Sequence, residues 1–282
     1  EGYAGSAVQA SLLGEDPSAE GPTLLFVHGV NPYGMKFYRR ANGQNVDLNR
    51  NYRKGAARPN PDYALFDAFL HPADGSNLRA EKIRAILKAV KIGWGRAAQA
   101  IASGQVTHPK GLFFMGHHVQ REIQVVQDIL RSHCGEATEV VALDFHTGLG
   151  RYGQEQLFVD RDADPDAENF VRKVFHRPAE PAANNYVAQG RFSDSLRDAL
   201  PGAKLRYVLQ ELGALSPLKT IEALRQENFE WQRRPAGRPR PLEIEQSMMN
   251  AFCPKEEKWR RNGHRLGCER WRQAEKFLRD LP

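Results

Sequence analysis

The sequence predicts an α/β fold in one domain spanning residues 1–282. Three observations predict it. Short apolar runs with polar or glycine-bearing tips alternate with stretches of helical periodicity. No internal repeat or low-complexity linker divides the chain. A chain of 282 residues is also long enough to bury one large core.

Each element follows from its own pattern. Thr23-Leu24-Leu25-Phe26-Val27-His28 is a continuous apolar run that stops at Gly29, which predicts a buried strand. From Asn31 to about Pro72 the chain is rich in Asn, Gly, Arg and Pro, which predicts a long irregular segment of the kind that carries function. Leu78 to Ser103 has helical periodicity with basic residues on one face. Glu139-Val140-Val141-Ala142-Leu143 is a second buried strand that runs directly into Asp144-Phe145-His146. Leu205-Arg206-Tyr207-Val208-Leu209 is a third, ending at Glu211. His28, His146 and Glu211 therefore stand at strand ends, where open α/β sheets form their sites.

Charge and cysteine content narrow the function classes. The formal net charge is +6. Much of it lies in Arg233–Arg240, a Pro/Gly-broken loop, and in Lys258–Arg272, where acidic residues are interleaved. That is the pattern of a solvated face, and no nucleic-acid-binding motif accompanies it. Cys134, Cys253 and Cys268 are sparse and odd in number, which argues against a disulfide framework and for a reducing compartment. No apolar run is long enough to span a bilayer, and the chain opens without a signal-peptide pattern. A cytoplasmic protein without membrane or nucleic-acid partners is expected.

Three constellations carry chemistry. In Asp47-Leu48-Asn49-Arg50-Asn51, the Arg50 fork matches a carboxylate bidentately and Asn49 supplies a neutral donor beside it. His146, followed by the small residues Thr147 and Gly148, is placed to offer an imidazole nitrogen to a metal in an open cleft. Glu211 at the rim of an apolar sheet is placed for proton transfer near neutral pH. Other histidines read as structural. His28 has only Asn31 at ligand spacing, His117-His118 with Glu122 heads a helix, and His264 with Cys268 has no second pair.

Asn31-Pro32-Tyr33-Gly34, Arg39-Arg40-Ala41-Asn42 and Asp47-Leu48-Asn49-Arg50-Asn51 together resemble the carboxylate clamp of the M14 zinc carboxypeptidase superfamily. Asp144-Phe145-His146-Thr147-Gly148 resembles the zinc-histidine segment of its deacylase branch, and Gln210-Glu211-Leu212-Gly213 its general-base segment. Glu1-Gly2-Tyr3-Ala4-Gly5-Ser6 is similar to the second half of a His-Gly-x-Glu-Gly-x-x-Gly-Ser pattern from a bacterial M14-like branch, the DUF2817 group. The resemblance extends through Phe252-Cys253-Pro254 and Trp259. It implies a three-layer α/β/α fold with a mixed, mostly parallel sheet. It implies Zn2+ held by Glu1, His146 and a histidine upstream of the chain, with the strand before it missing too. It assigns Arg40, rather than its neighbour Arg39, to the scissile carbonyl, Asn49 and Arg50 to the substrate carboxylate, and Glu211 to the protons.

The expected activity is hydrolysis of an amide bond next to a free carboxylate, in a peptide or an N-acyl amino acid. Tyr152 and Tyr186 are both candidate donors to the tetrahedral intermediate. The competing expectation is a metal-free M14-like module that binds carboxylate-ended peptides through Arg40, Asn49 and Arg50. Subunit number is left open by the sequence.

Overall fold

The computed structural model describes residues 2–15, 21–181, 187–234 and 240–281. Within them, helix α1 (Gly2–Leu13) is followed by the short α2 (Pro32–Phe37) and α3 (Asp67–Leu70), then α4 (Leu78–Ile92), α5 (Trp94–Ala102) and α6 (Arg121–Cys134). Strands β1 (Glu139–Gly148) and β2 (Glu155–Val159) come next, then α7 (Ala167–Phe175), the two-residue β3 (Glu180–Pro181) and α8 (Phe192–Ala199). Strand β4 (Lys204–Gly213) and helices α9 (Pro217–Arg233), α10 (Leu242–Phe252) and α11 (Glu257–Arg279) complete the described chain.

The strands form one sheet in the order β1-β4-β2-β3. β1 runs parallel to β4 and β2 parallel to β3, while β2 and β4 are antiparallel. Side-chain alternation decides what covers each face. Val140 and Ala142 of β1, with Leu205, Tyr207 and Leu209 of β4, pack on Val126 and Leu130 of α6 and Leu196 and Ala199 of α8. Val141 and Leu143, with Val208, Leu157 and Val159, face α7 and the end of α11 through Phe170, Val171, Ala274 and Phe277. The sheet is thus mixed, mostly parallel and flanked by helices. Among the described residues no helix is long and apolar enough to cross a membrane.

The expected strand Thr23–His28 is a correction. The run carries no regular secondary structure and belongs to no sheet among the described residues. Its side chains still alternate as a strand's would. Leu25 and Val27 join the cluster beneath α6 and α8, and Phe26 stacks on Trp271 in the cluster of α1 and α11. The run lies at the level of the sheet, but a cavity of about 880 Å³, lined by both Leu24–Val27 and Val140–Phe145, runs beside the edge of β1. Burial pattern was legible in the run; the partner for its backbone was not.

Two smaller differences have local causes. The helical stretch Leu78–Ser103 breaks at Gly93, whose φ of +89° ends α4 and starts α5. The segment 31–72 is less irregular than expected, because α2, α3 and two 3₁₀ turns (Leu48–Arg50 and Pro61–Leu65) shape it. Strand β2, preceded by a glycine-rich turn and only five residues long, carried too little pattern to be read.

Candidate functional site

Register alone brings two of the expected residues together. His146 of β1 pairs directly with Glu211 of β4. Because the strands are parallel, their carboxyl ends coincide, and both side chains line a cavity of about 440 Å³ there. Arg40, Asn49 and Arg50 line the same cavity. Arg40, Asn49 and His146 also border the larger cavity along β1, so the two cavities meet at these residues.

The imidazole is held from behind. Asp144 lies two residues back on the same face of β1, with Oδ2 3.2 Å from His146 Nε2. Tyr207 Oη donates to the same Asp144 Oδ2 at 2.5 Å. Burial works to raise the Asp144 pKa, but His146 and the two hydrogen bonds outweigh it, and the carboxyl sits below its ordinary value. Burial, then the Asp144 charge, pushes the Tyr207 hydroxyl well above its ordinary value. Tyr207 therefore stays a donor. Asp144 was foreseeable from alternation along the strand; Tyr207 was hidden in an apolar run on another strand.

Glu211 is buried, and its Oε1 accepts the Leu149 N–H at 2.9 Å. The chain can turn there because Gly148 adopts φ +134°. Thr147, on the opposite face, donates to the Phe252 carbonyl at 2.5 Å, and Trp259 Nε1 donates to the Gly213 carbonyl at 2.8 Å. These two bonds tie α10 and α11 to the ends of β1 and β4.

The 31–51 loop is built by its asparagines. Asn31 caps α2, accepting from Gly34 N at 2.8 Å and donating to the Arg40 carbonyl at 3.1 Å. Asn42 accepts from the Gln44 and Val46 amides at 3.0 Å each. Asn51, fully buried, donates to the carbonyls of Met115 and His118 and accepts from Gln120 N. Asp47 caps the 3₁₀ turn through Asn49 N at 3.0 Å and pairs with Arg40 Nε at 2.8 Å. Burial opposes ionisation of Asp47, but Arg40 and then Arg50 overcome it and lower its pKa.

The four arginines near the site divide by environment. Arg40 is partly exposed into the cavities and its guanidinium lies 5.3 Å from the Phe113 ring centre. Arg39 is buried, paired with Glu227 at 2.9 Å and stacked on Trp231, in support of the fold. Arg50 is buried and donates to the Ala102 carbonyl at 2.8 Å and the Asn49 carbonyl at 2.7 Å. Arg191, which no sequence pattern singled out, also lines the smaller cavity; it pairs with Asp160, Asp162 and Asp194.

Several expected participants stand elsewhere. Tyr152 is half exposed and donates to Glu256 at 2.9 Å, outside the cavity; Tyr186 lies outside the described residues. His28 is exposed, and His264 meets Ser11 at 2.7 Å and Cys268 at 3.7 Å. Cys134, Cys253 and Cys268 are free. Along α11 the basic residues alternate with acidic partners, as in Arg261–Glu257, Arg265–Glu269 and Arg279–Glu275.

Among the described residues no group of three or more His, Cys, Asp or Glu side chains is arranged to hold a metal ion. Of the two expected ligands, His146 lies in the cavity and Glu1 lies outside the described residues. The neighbouring Gly2 and Tyr3 line the larger cavity together with His146. The described residues thus offer one zinc ligand of the three a catalytic site requires.

No curated protein and no solved structure matches the chain. A family model described as a protein of unknown function, DUF2817, matches residues 1–264, and the chain belongs to that family.

Proposed function

We propose that the cavity is the site of an M14-like hydrolase that cleaves an amide bond next to a free carboxylate. The observation that carries the reading is the pairing of His146 with Glu211 in one cavity with Arg40, Asn49 and Arg50. A buried carboxylate beside an imidazole at a sheet rim suits proton transfer, and the loop supplies cationic and amide donors across from it.

In this reading Asn49 and Arg50 hold the substrate carboxylate, and Arg40 faces the scissile carbonyl. Glu211 takes a proton from the attacking water and returns it to the leaving amine. Bound zinc would supply Lewis acidity at the carbonyl and a water of lowered pKa. His146 would be one ligand and Glu1 a second, with a histidine upstream of the chain as the third. Asp144 would orient the imidazole.

The finer fold expectation, a three-layer zinc-carboxypeptidase-like arrangement, is part of the same proposal. It draws support from the larger cavity, which separates the edge of β1 from the strand-like run Thr23–His28 and reaches Arg40, Asn49 and His146.

The second reading is a metal-free carboxylate-binding module. Arg40, Asn49 and Arg50 line one cavity and suit carboxylate binding without a metal. Zinc titration by calorimetry, together with hydrolysis assays on N-acyl amino acids and peptides with free carboxyl ends, separates the two when run on the protein carrying the upstream histidine. Zinc-dependent hydrolysis that Glu211→Gln removes supports the hydrolase. Carboxylate binding with neither zinc uptake nor turnover would replace it with the binding module.

A further inference from the structure

We propose that the outer face of α4 docks the protein onto an anionic lipid surface. The helix is built the wrong way round for an ordinary surface helix. It buries Ala85 and Ala89 against the core while Ile83, Leu87 and Val90 face outward. Ile83, Leu87 and Val90 are 59, 63 and 60% exposed, and Trp94, at the start of α5, is 62% exposed. Positions i, i+4 and i+7 make one stripe along α4, and Trp94 continues the exposed apolar surface past the break at Gly93. Single exposed apolar residues need no explanation, but an aligned row of three large ones, with an exposed Trp beside its end, does.

A second row identifies the partner. Arg84, Lys88 and Lys91 repeat the same spacing one residue on, so a basic line runs beside the apolar one. Leu78–Ile92 holds five basic residues (Arg79, Lys82, Arg84, Lys88, Lys91) and one acidic residue, Glu81. Arg84 pairs with Glu81, and Lys88 Nζ donates to the Leu65 carbonyl at 2.7 Å; both cations remain at the surface. An apolar stripe bordered by cations matches a surface that is anionic outside and apolar just beneath. A nucleic acid would have no use for the apolar row.

The surface adjoins the site. Trp94 lines the smaller cavity, as do the exposed Val187 and Leu218. Docking through α4 would turn this apolar rim toward the bilayer. The proposal does not depend on the hydrolase reading, because it rests on α4 alone. It also differs from a membrane span: the helix lies along the surface.

The test is co-sedimentation of the full chain with vesicles of phosphatidylcholine alone and of equal parts phosphatidylcholine and phosphatidylglycerol. Binding to the anionic vesicles, weakening as salt rises, is expected. Ile83→Ser/Leu87→Ser/Val90→Ser should lower partitioning roughly tenfold or more, and Lys88→Gln/Lys91→Gln should lower it at low salt. These side chains are exposed, and circular dichroism checks that both variants keep the fold. No binding to either vesicle, or equal binding to both, overturns the proposal. So does self-association by analytical ultracentrifugation that the triple variant abolishes, since the face would then belong to a second copy.

Discussion

His146 and Glu211 occupy the same register position on two adjacent parallel strands, so the sheet itself sets their separation. Neither depends on a loop for its place. Glu211→Gln keeps the shape and an acceptor for the Leu149 N–H, which donates to Glu211 Oε1 at 2.9 Å, but removes the exchangeable proton site. Hydrolysis of a carboxylate-bearing amide is expected to fall by roughly 10²- to 10⁴-fold with little change in melting temperature. Steady-state kinetics beside a thermal melt checks both; unchanged turnover would remove Glu211 from the mechanism.

Asp47 makes stability depend on pH. Burial alone would raise its pKa, but Arg40 and Arg50 hold the native carboxyl below the ordinary value. The unfolded chain therefore takes up the proton first as pH falls. The stabilisation is complete above the ordinary carboxylate range and is lost as pH drops through the native value. Asp47→Asn should cost roughly 3 kcal/mol at neutral pH, because Arg40 and Arg50 lose a buried counter-charge. It should also flatten the acid limb. Urea unfolding across the acid range, native against variant, measures both effects; parallel acid limbs would show that other carboxylates govern the region.

How much of this was readable from sequence differs by element. The strands leading to His146 and Glu211 were legible because each is a mainly apolar run that ends in polar residues. Their full lengths were not, since ladder bonds carry β1 and β4 to Gly148 and Gly213 through residues without strand character. Thr23–His28 shows the converse: its alternation is that of a strand, but pairing depends on a neighbour that composition does not reveal. The loop carrying Asn49 and Arg50 was recognised by motif, while its physical basis, asparagines capping and bridging turns, emerged only from contacts such as Asn51 with Met115 and His118. Tyr207 could not have been foreseen, because its partner Asp144 lies 63 residues away.

Gly34 is required by a close approach rather than by its backbone angle. A Cβ there would stand 2.5 Å from the Arg39 carbonyl oxygen and against Asn31 Nδ2. That amide donates to the Arg40 carbonyl and so fixes where the Arg40 side chain begins. Gly34→Ala is expected to destabilise the protein by roughly 2 kcal/mol through overpacking and to displace Arg40. Chemical denaturation gives the first value. A variant as stable as the native chain would show that the turn relaxes at no cost.

Asn49 and Arg50 are adjacent yet should respond differently to removal. Asn49 is partly exposed at the junction of the two cavities, and its backbone amide, not its side chain, is the group bonded to Asp47. Asn49→Ala should weaken binding of a carboxylate-ended ligand about tenfold, the loss expected for one hydrogen bond to a charged group, and leave the melting temperature nearly unchanged. Arg50 is buried, and its loss leaves the Ala102 and Asn49 carbonyls without their donor. Arg50→Ala should therefore weaken binding and also cost roughly 2–3 kcal/mol of stability. Calorimetric titration with a peptide ending in a free carboxylate, and with the same peptide amidated, tests the pair. The native chain should prefer the free acid, and each variant should narrow that preference. If the amidated peptide binds the native chain as tightly as the acid does, the loop is not a carboxylate clamp, and Arg50 is a structural cation that joins the 3₁₀ turn to the end of α5.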